Sequence, residues 1–215
     1  MIRVDALLFD LDGTLVDSKR DLAHSVRHLQ KQFRVSASSE KQVASFIGDG
    51  VVKLVERALP GLPKSRLEPA VAAFKQYYRE HCLDHTRVYP GVLSALRHFR
   101  GKKMAVVTNK PVRISAHILD ELGLSPFFQA LIGGDSLPNK KPHPEPILSA
   151  LKTMRVENKK RAVTVGDSPN DIHAGRSAGT YTCGVYSNIS DPQKLLNSRP
   201  DFAIHKLNEL TRFFD

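Results

Sequence analysis

The sequence contains only two cysteines and no long hydrophobic run. Cys82 and Cys183 lie far apart and match no metal-binding or redox spacing, so we expect free thiols in a reducing compartment. The apolar runs have the length of strands, whereas a membrane-spanning helix needs about 20 apolar residues. Near the N-terminus, Asp5 interrupts and Asp10 ends the apolar stretch that a signal peptide would require. The sequence therefore predicts a cytoplasmic protein without a membrane segment.

Several catalytic and binding signatures are also missing. There is no Gly-rich phosphate-binding loop of the Walker type and no Ser-His-Asp or Cys-His arrangement. Lysine and arginine (32) outnumber aspartate and glutamate (22), which gives a net charge of +10. Nucleic-acid binding would favour a basic helix or strands with interspersed aromatic residues, and neither pattern is present. We therefore expect no nucleic-acid partner; the excess charge is consistent with a solvated surface and with a field that attracts small anions.

An acidic stretch near the N-terminus is the first candidate site. Residues Ala6–Phe9 form a buried-strand pattern, and Asp10–Thr14 follows it directly. If the extended geometry continues, Asp10 and Asp12 point to the same side. Two carboxylates this close repel each other unless a cation lies between them. The stretch predicts either a divalent-cation site or a plain turn, which Asp and Gly can produce by themselves.

Strand and helix patterns alternate from residue 86 onward. Further strand patterns begin at Met104, Ala130, Ala162, Thr180 and Phe202, and helical patterns lie between most of them. Strands that alternate with helices favour a parallel, doubly wound sheet. We therefore expect an α/β fold with a Rossmann-like core.

The segment between the first strand and residue 86 has a different character. Apolar residues recur there at helical spacing, and no strand pattern appears between Asp17 and Asp84. The helical stretches are Asp21–Phe33, Gln42–Ile47, Val51–Leu59 and Leu67–Cys82. Helices clustered between two strand-bearing regions suggest an insert. We predict a core of residues 1–16 and 86–215 and a helical cap of residues 17–85.

Polar residues recur where the predicted core strands end. In a doubly wound sheet, ligands bind beyond the carboxyl ends of the strands, so these side chains should lie close together. They are Asp10, Asp12, Thr108, Asn109, Asp167 and Asp171. Oxygen ligands of this kind suit Mg²⁺, and Lys141 adds a positive charge that could neutralise a carboxylate or a phosphate oxygen. A carboxylate nucleophile, a metal and a second carboxylate for proton transfer indicate phosphoryl transfer through an aspartyl-phosphate.

The same residues carry a resemblance to the haloacid dehalogenase superfamily. Its four ordered motifs are similar to Asp10–Thr14, Thr108, Lys141-Pro142 and Gly166–Asp171. Within the superfamily, Asp12–Ser18, Thr108–Pro111, Gly133–Ser136 and Lys141–Pro146 resemble phosphoglycolate phosphatases. The resemblance implies a Mg²⁺-dependent phosphomonoester hydrolase that acts on a small phosphorylated metabolite, with 2-phosphoglycolate as the first expectation.

The resemblance also implies a role for each residue. Asp10 would attack phosphorus, and Asp12 would protonate the leaving alcohol and then deprotonate the attacking water. Mg²⁺ would be held by the side chains of Asp10 and Asp167 and by the backbone carbonyl of Asp12. The supporting residues would be Thr108 and Asn109 for the phosphoryl group, Lys141 for charge balance, and Asp171, Gly13 and Thr14 around the site. The cap would close over the site, exclude water and select the substrate.

Cap residues allow more than one interpretation. Family analogy places the loop Ile47–Gly50, which contains Asp49, opposite the site, and an ordinary turn between helices explains the same residues. Arg57 could contact a substrate carboxylate or lie on a solvated helix face. Lys53 is expected at the surface, because Asp12 argues for an ester hydrolase and against the Schiff-base hydrolases of this fold.

The histidines, the substrate and the state of assembly are open to different interpretations as well. His81 and His85 are four residues apart, which suits a transition metal. No further group nearby in the sequence completes such a site, and we interpret the segment as a hinge. Competing substrates are pyrophosphate, a sugar phosphate or a nucleotide, and a different class of protein would be a regulatory binding module on the same fold. After Val185 the family carries a Gly-bearing loop, whereas this chain has Tyr186–Ser190. The sequence leaves a monomer and a homodimer open.

Overall fold

A computed structural model of the 215-residue chain describes residues 1–186 and 192–215. The strands are β1 (Ala6–Phe9), β2 (Val16–Asp17), β3 (Arg87–Val88), β4 (Lys103–Val107), β5 (Ala130–Ile132), β6 (Ala162–Gly166), β7 (Tyr181–Val185) and β8 (Phe202–Ile204). The helices are α1 (Lys19–Gln32), α2 (Glu40–Ala44), α3 (Val51–Ala58), α4 (Lys64–His81), α5 (Val92–His98), α6 (Val112–Glu121), α7 (Glu145–Thr153), α8 (Pro169–Ala178) and α9 (Pro192–Asn197). Short 3₁₀ turns occur at Ser125–Phe127, Lys159–Arg161 and Leu207–Arg212.

Six strands form one parallel sheet, in the order β5-β4-β1-β6-β7-β8. The chain's first strand therefore lies inside the sheet, between β4 and β6. Successive side chains of β1 point to opposite faces: Leu7 and Phe9 belong to one apolar cluster, and Ala6 and Leu8 belong to another that includes residues of α7. Burial on both faces is why β1 is an uninterrupted apolar run. The expected doubly wound α/β sheet is confirmed.

Along the chain, four helices, α1 to α4, lie between β2 and β3, close to the positions that the apolar spacing predicts. The antiparallel ribbon of β2 and β3 joins the two ends of this helical insert, with Val16 opposite Val88 and Asp17 opposite Arg87. The sequence pattern did not predict this ribbon, because two-residue strands are too short to show an alternation. The ribbon lies at the predicted limits of the cap, and the division at residues 17 and 85 stays a prediction.

Asp21 of α1 ties the end of the insert back to its beginning. Its carboxylate is 1% exposed and accepts hydrogen bonds from the backbone N–H and Nδ1 of His85 and from the backbone N–H and Oγ1 of Thr86, at 2.7–3.0 Å. Burial alone would raise the pKa of Asp21, but these hydrogen bonds outweigh it and hold the pKa below its usual value. The segment is thus anchored by charge-assisted hydrogen bonds.

The structure adds His24 to the histidines noted in the sequence. The rings of His24 and His85 meet edge to face at 5.2 Å, and possible ligand atoms of Asp21, His24 and His85 lie within 4.8 Å of one another. The carboxylate of this trio is already engaged by His85 and Thr86. His81 does not belong to this trio and pairs instead with Asp84, with its Nδ1 2.9 Å from Oδ2 of Asp84.

Cys82 and Cys183 are both buried and free. Of the helices described, none combines the length and the apolar character needed to cross a membrane. The departure from the family's loop after Val185 falls largely on Ser187–Ser190, which lie outside the described residues.

Candidate active site

The candidate site forms where the three central strands end. Asp10 comes one residue after β1, Thr108 one residue after β4 and Asp167 one residue after β6. The register places Phe9 between Val106 and Val165, and the backbone N–H of Asp10 donates to the carbonyl of Val165 at 2.9 Å. Adjacent parallel strands therefore deliver these three polar side chains to one edge of the sheet.

Lys141 lies at the centre of the site and is 4% exposed. Its Nζ donates to Oδ1 of Asp10 (2.9 Å), to Oδ1 of Asp171 (2.5 Å) and to the carbonyl of Val107 (2.6 Å). Burial alone would lower the pKa of Lys141, but the two carboxylates outweigh it and raise the pKa above its usual value. Lys141 is therefore a fixed positive charge directed at Asp10.

Burial raises the pKa of Asp10 to about 6, although the ammonium of Lys141 opposes this change. Carboxylate oxygens of Asp10, Asp167 and Asp171 lie within 4.8 Å of one another. Three carboxylates this close, with Lys141 paired to two of them, form a donor set of hard oxygens with surplus negative charge. A divalent cation such as Mg²⁺ fits a set of this kind.

Two glycines make this crowding possible. A Cβ at Gly13, whose φ is +85°, would lie 2.1 Å from Oδ2 of Asp167, and a Cβ at Gly166 would lie 2.1 Å from Cγ of Asp171. Both positions require the absence of a side chain, because an atom there would displace a carboxylate of the site. The hydroxyl of buried Thr14 donates to Oδ1 of Asp167 at 3.4 Å. Gly13 and Thr14 thus bring the turn after β1 against Asp167.

Asp12 has different partners from Asp10, although one residue separates them. Nζ of Lys110 lies 2.7 Å from both carboxylate oxygens of Asp12, and the Ser18 hydroxyl donates to Oδ1 at 2.5 Å.

Asp171 serves two purposes. Its Oδ1 accepts from Lys141, and its Oδ2 accepts from the backbone N–H (3.1 Å) and hydroxyl (2.7 Å) of Ser168 at the start of α8.

Lys110 and Tyr78 are the residues that sequence reasoning missed. Besides Asp12, Nζ of Lys110 donates to the hydroxyl of Tyr78 in α4 at 2.8 Å. Lys110 lies within a recognised motif beside Thr108, so its identity was visible in the sequence but its partner was not. Tyr78 occupies a buried position of an amphipathic helix, and nothing in that pattern reveals where its hydroxyl points.

The two expected phosphate-binding residues are both buried near Lys141. Oγ1 of Thr108 accepts from the backbone N–H of Lys110 at 3.3 Å. The side-chain amide of Asn109 donates to the carbonyls of Gly48 (2.8 Å) and Lys141 (2.9 Å), and its Oδ1 has no partner among the described residues. In this arrangement, Asn109 connects the sheet edge with the loop between α2 and α3.

That loop lies over the sheet edge. Oδ1 of Asp49 accepts from Asn170 at the start of α8 (2.8 Å), and the carbonyl of Asp49 accepts from Lys140 (2.5 Å). Arg57 pairs with Oδ2 of Asp49 at 2.5 Å, within the insert. Hydrogen bonding and these cations hold the pKa of Asp49 below its usual value, against the effect of burial. Lys53 has a mostly exposed side chain and pairs with Glu56, as expected of a surface residue.

A cavity of about 840 Å³ separates the helical insert from the sheet edge. Core residues provide its polar floor, including Asp10, Asp12, Thr108, Lys110, Lys141 and Asp167. The insert provides both apolar and charged wall residues, including Leu22, Ile47, Val51, Leu54, Phe74, Lys41, Arg57 and Lys75. The size suits a small-molecule ligand. A ligand in this cavity would lie against the carboxylates that could bind a metal.

Comparisons with known proteins all indicate the same family. Residues 7–185 match the model of the haloacid dehalogenase-like hydrolases. A protein named phosphoglycolate phosphatase from Neisseria meningitidis is 37% identical over 96% of this chain and 92% of its own length. One of the same name from Aquifex aeolicus is 38% identical over 97% and 96%. The crystal structure of a predicted phosphoglycolate phosphatase from Haemophilus somnus superposes with a TM-score of 0.90, at 33% identity and 97% coverage of both chains. The resemblance inferred from the motifs is confirmed: the chain belongs to the haloacid dehalogenase-like hydrolase family.

Proposed function

We propose that this protein is a Mg²⁺-dependent phosphatase that hydrolyses 2-phosphoglycolate through an aspartyl-phosphate. The names of the relatives support the substrate. The observation that carries the chemistry is that two acids, separated by one residue, are held by different lysines: Asp10 by Lys141 and Asp12 by Lys110. Two such environments suit two roles, a nucleophile and a proton-transfer group.

The reaction has two halves. In the first, an oxygen of Asp10 forms a bond to phosphorus, the ester P–O bond breaks, and the carboxyl proton of Asp12 passes to the leaving oxygen. In the second, water forms a bond to phosphorus, the bond between Asp10 and phosphorus breaks, and Asp12 takes the proton of the water. Each turnover thus returns Asp12 to its starting protonation.

Other residues would bind and orient the phosphoryl group. Lys141 would balance negative charge beside Asp10, and Thr108 would donate its hydroxyl to a phosphoryl oxygen. Asn109 could donate to the same group by exchanging its bond with the Gly48 carbonyl, which would link substrate binding to the loop above.

The donor set for the metal is the cluster of Asp10, Asp167 and Asp171. Asp10 and Asp167 would coordinate directly, whereas Asp171 is engaged by Lys141 and Ser168 and would support them. Because Lys110 and Ser18 occupy the carboxylate of Asp12, Asp12 would contribute its backbone carbonyl. Bound Mg²⁺ supplies electrostatic stabilisation of the charge that develops on the phosphoryl oxygens.

The environment also bears on the substrate and the compartment. Lys110 and Lys141 at the floor of the cavity, together with a cation held by the carboxylates, would favour a small anionic metabolite, and 2-phosphoglycolate carries both a phosphate and a carboxylate. Pyrophosphate, sugar phosphates and nucleotides are the competing substrates of the same chemistry. The two free, buried thiols support the cytoplasmic location expected from the sequence.

A substrate panel tests this function. The wild-type protein with Mg²⁺ should hydrolyse 2-phosphoglycolate with a higher kcat/KM than pyrophosphate, hexose phosphates or nucleotides. Asp10→Asn should lose at least about 10³-fold in kcat, because it removes the nucleophile. Asp120→Asn is the matched control, since Asp120 lies on α6 and bonds to Ser125 away from the site, and its activity should equal that of the wild type. A fully active Asp10→Asn variant would contradict the mechanism, and a preference for another ester would contradict the substrate.

A further inference from the structure

A buried lysine that follows Thr108 and Asn109 engages the proposed proton-transfer group. Lys110 is 7% exposed, and its Nζ has three close oxygen partners: both carboxylate oxygens of Asp12, each at 2.7 Å, and the hydroxyl of Tyr78 at 2.8 Å. An ammonium has three N–H donors, so these partners use all of them. Burial alone would lower the pKa of Lys110, but Asp12 and Tyr78 outweigh it and keep the side chain charged.

This contact determines how Asp12 is oriented. A carboxylate bound through both oxygens to one ammonium has little freedom to rotate, and Ser18 adds a hydrogen bond to Oδ1. Proton transfer requires Asp12 to lie within hydrogen-bond reach of the leaving oxygen, about 2.6–3.2 Å. A shift of about 1 Å at such a position can cost two orders of magnitude in rate.

The third partner comes from a different part of the molecule. Lys110 follows β4 in the core, whereas Tyr78 lies on α4 of the helical insert. Tyr78 is buried, packs against Phe74 at 5.6 Å between ring centroids, and presents its ring 4.8 Å from Nζ of Lys110. The hydroxyl and the ring of Tyr78 therefore hold Lys110 only while α4 lies over the sheet edge.

We propose that Lys110 is a positioning residue for Asp12, and that Tyr78 makes this positioning depend on the helical insert. The inference rests on the proposed phosphatase function. It assigns Lys110 no direct contact with the reacting atoms. Its effect is to hold Asp12 beside the leaving oxygen while the insert covers the site, and its ammonium stabilises the carboxylate that Asp12 becomes once the carboxyl proton has passed to that oxygen.

A positioning lysine has a kinetic consequence that a purely structural lysine does not share. An ester with a basic leaving group depends on protonation by Asp12, whereas an ester with an acidic leaving group departs with little help. Phenyl phosphate and 4-nitrophenyl phosphate provide this contrast, because they have the same bulk near phosphorus and differ in the acidity of the phenol. Their kcat/KM values report the first half-reaction and are independent of phospho-enzyme hydrolysis.

The test compares Lys110→Met, Tyr78→Phe and a matched control, Lys75→Met, with the wild type on both esters in the presence of Mg²⁺. Lys110→Met should lower kcat/KM about 10²-fold for phenyl phosphate and less than about tenfold for 4-nitrophenyl phosphate. Tyr78→Phe, which removes one hydrogen bond to Lys110 and keeps the ring, should change the ratio of the two esters in the same direction by about three- to tenfold. Lys75 lines the same cavity but does not bond to Asp12, so its variant should leave the ratio unchanged.

The outcomes separate the possibilities. An equal loss on both esters in Lys110→Met, or a rise in KM with unchanged kcat, would overturn the positioning role. A Tyr78→Phe variant with the wild-type ratio would overturn the dependence on the insert. Thermal unfolding of each variant identifies a folding defect, and Tyr78→Phe serves as the second probe if Lys110→Met is unfolded. If the wild type turned over neither ester nor any member of the metabolite panel, the proposed function itself would be wrong, and the positioning role would fall with it.

Discussion

At the scale of single residues, two aspartates with the same side chain acquire different properties from their neighbours. Asp10 faces Lys141 and the carboxylates of Asp167 and Asp171, and burial raises its pKa to about 6. Asp12 has a lysine of its own and a serine hydroxyl. The proposed division of roles between a nucleophile and a proton-transfer group therefore depends on contacts from distant parts of the chain, not on the acids themselves.

Gly13→Ala is expected to damage the site more than the fold. The new Cβ would overlap Oδ2 of Asp167, so this carboxylate must move, and we expect a loss of about 10²-fold in kcat/KM. Gly61→Ala is the control, because Gly61 has a similar φ of +81° and no atom of the described residues lies within 4 Å of the added Cβ. Both variants should lose about 1–2 kcal/mol of stability from backbone strain, measured by urea unfolding. Equal activity of the two variants would argue against the importance of the close approach between Gly13 and Asp167.

At the scale of elements, one buried acid connects the start of the insert with its end. Asp21 lies in the first turn of α1 and bonds to His85 and Thr86, which immediately precede β3. The short ribbon of β2 and β3 adds few hydrogen bonds. The geometry of the return from insert to core thus depends largely on this carboxylate.

Asp21→Asn should lower the free energy of unfolding by about 2–3 kcal/mol at neutral pH, because hydrogen bonds to a buried charge are replaced by bonds to a neutral amide. The pKa of Asp21 lies below its ordinary value of 3.8 in the folded protein. The folded state therefore favours the ionised form, and this stabilisation is complete above the unfolded pKa and is lost as the pH falls through the folded pKa. The difference between wild type and variant, followed by urea unfolding, should be constant near neutrality and shrink below about pH 4.

Asp84→Asn provides the control for this measurement. Asp84 is exposed and pairs with His81 in the same segment, so its replacement should cost less than about 1 kcal/mol. A difference between wild type and Asp21→Asn that grows on acidification would contradict the assigned direction of the pKa change.

At the scale of the whole molecule, the insert and the core meet through polar contacts around the cavity. The loop with Gly48 and Asp49 bonds to Asn109, Lys140 and Asn170 of the core, and α4 reaches the sheet edge through Tyr78. The other walls that the insert supplies combine apolar residues such as Leu54 and Phe74 with charged ones such as Lys75. Covering of the site is therefore held by a small number of directional bonds, each of modest strength.

Asn170→Ala should weaken this covering without touching the proposed nucleophile. The change removes the bonds to Asp49 Oδ1 (2.8 Å) and to the Gly48 carbonyl (3.3 Å). A smaller covered fraction lowers the apparent affinity in proportion, so KM for the preferred ester should rise about three- to tenfold with kcat changed less. Asn139→Ala is the control, because Asn139 bonds to Glu145 at the surface. A fall in kcat alone would show that Asn170 acts on the chemical step instead.

How well the sequence predicted a single segment depended on the length of that segment. The four helices of the insert and the core strands lie close to their predicted positions, because long apolar periodicities leave little choice of conformation. The ribbon of β2 and β3 has two residues per strand and shows no such pattern. Asp49 could have belonged to an ordinary turn, and its contacts with Asn170 and Lys140 became visible only in the folded chain.

Strand periodicity and the order of short motifs are local properties, so the amino-acid sequence alone indicates the class of sheet, the family and the chemical types at the strand ends. Which of these groups meet depends on how the whole chain packs. Lys141 could have paired with any acid of the set, and it contacts Asp10 and Asp171. Lys110 and Tyr78 meet at Asp12 only because β4 lies beside β1 and α4 folds back over their ends. Contacts between residues far apart in the chain depend on packing, and no local pattern encodes them.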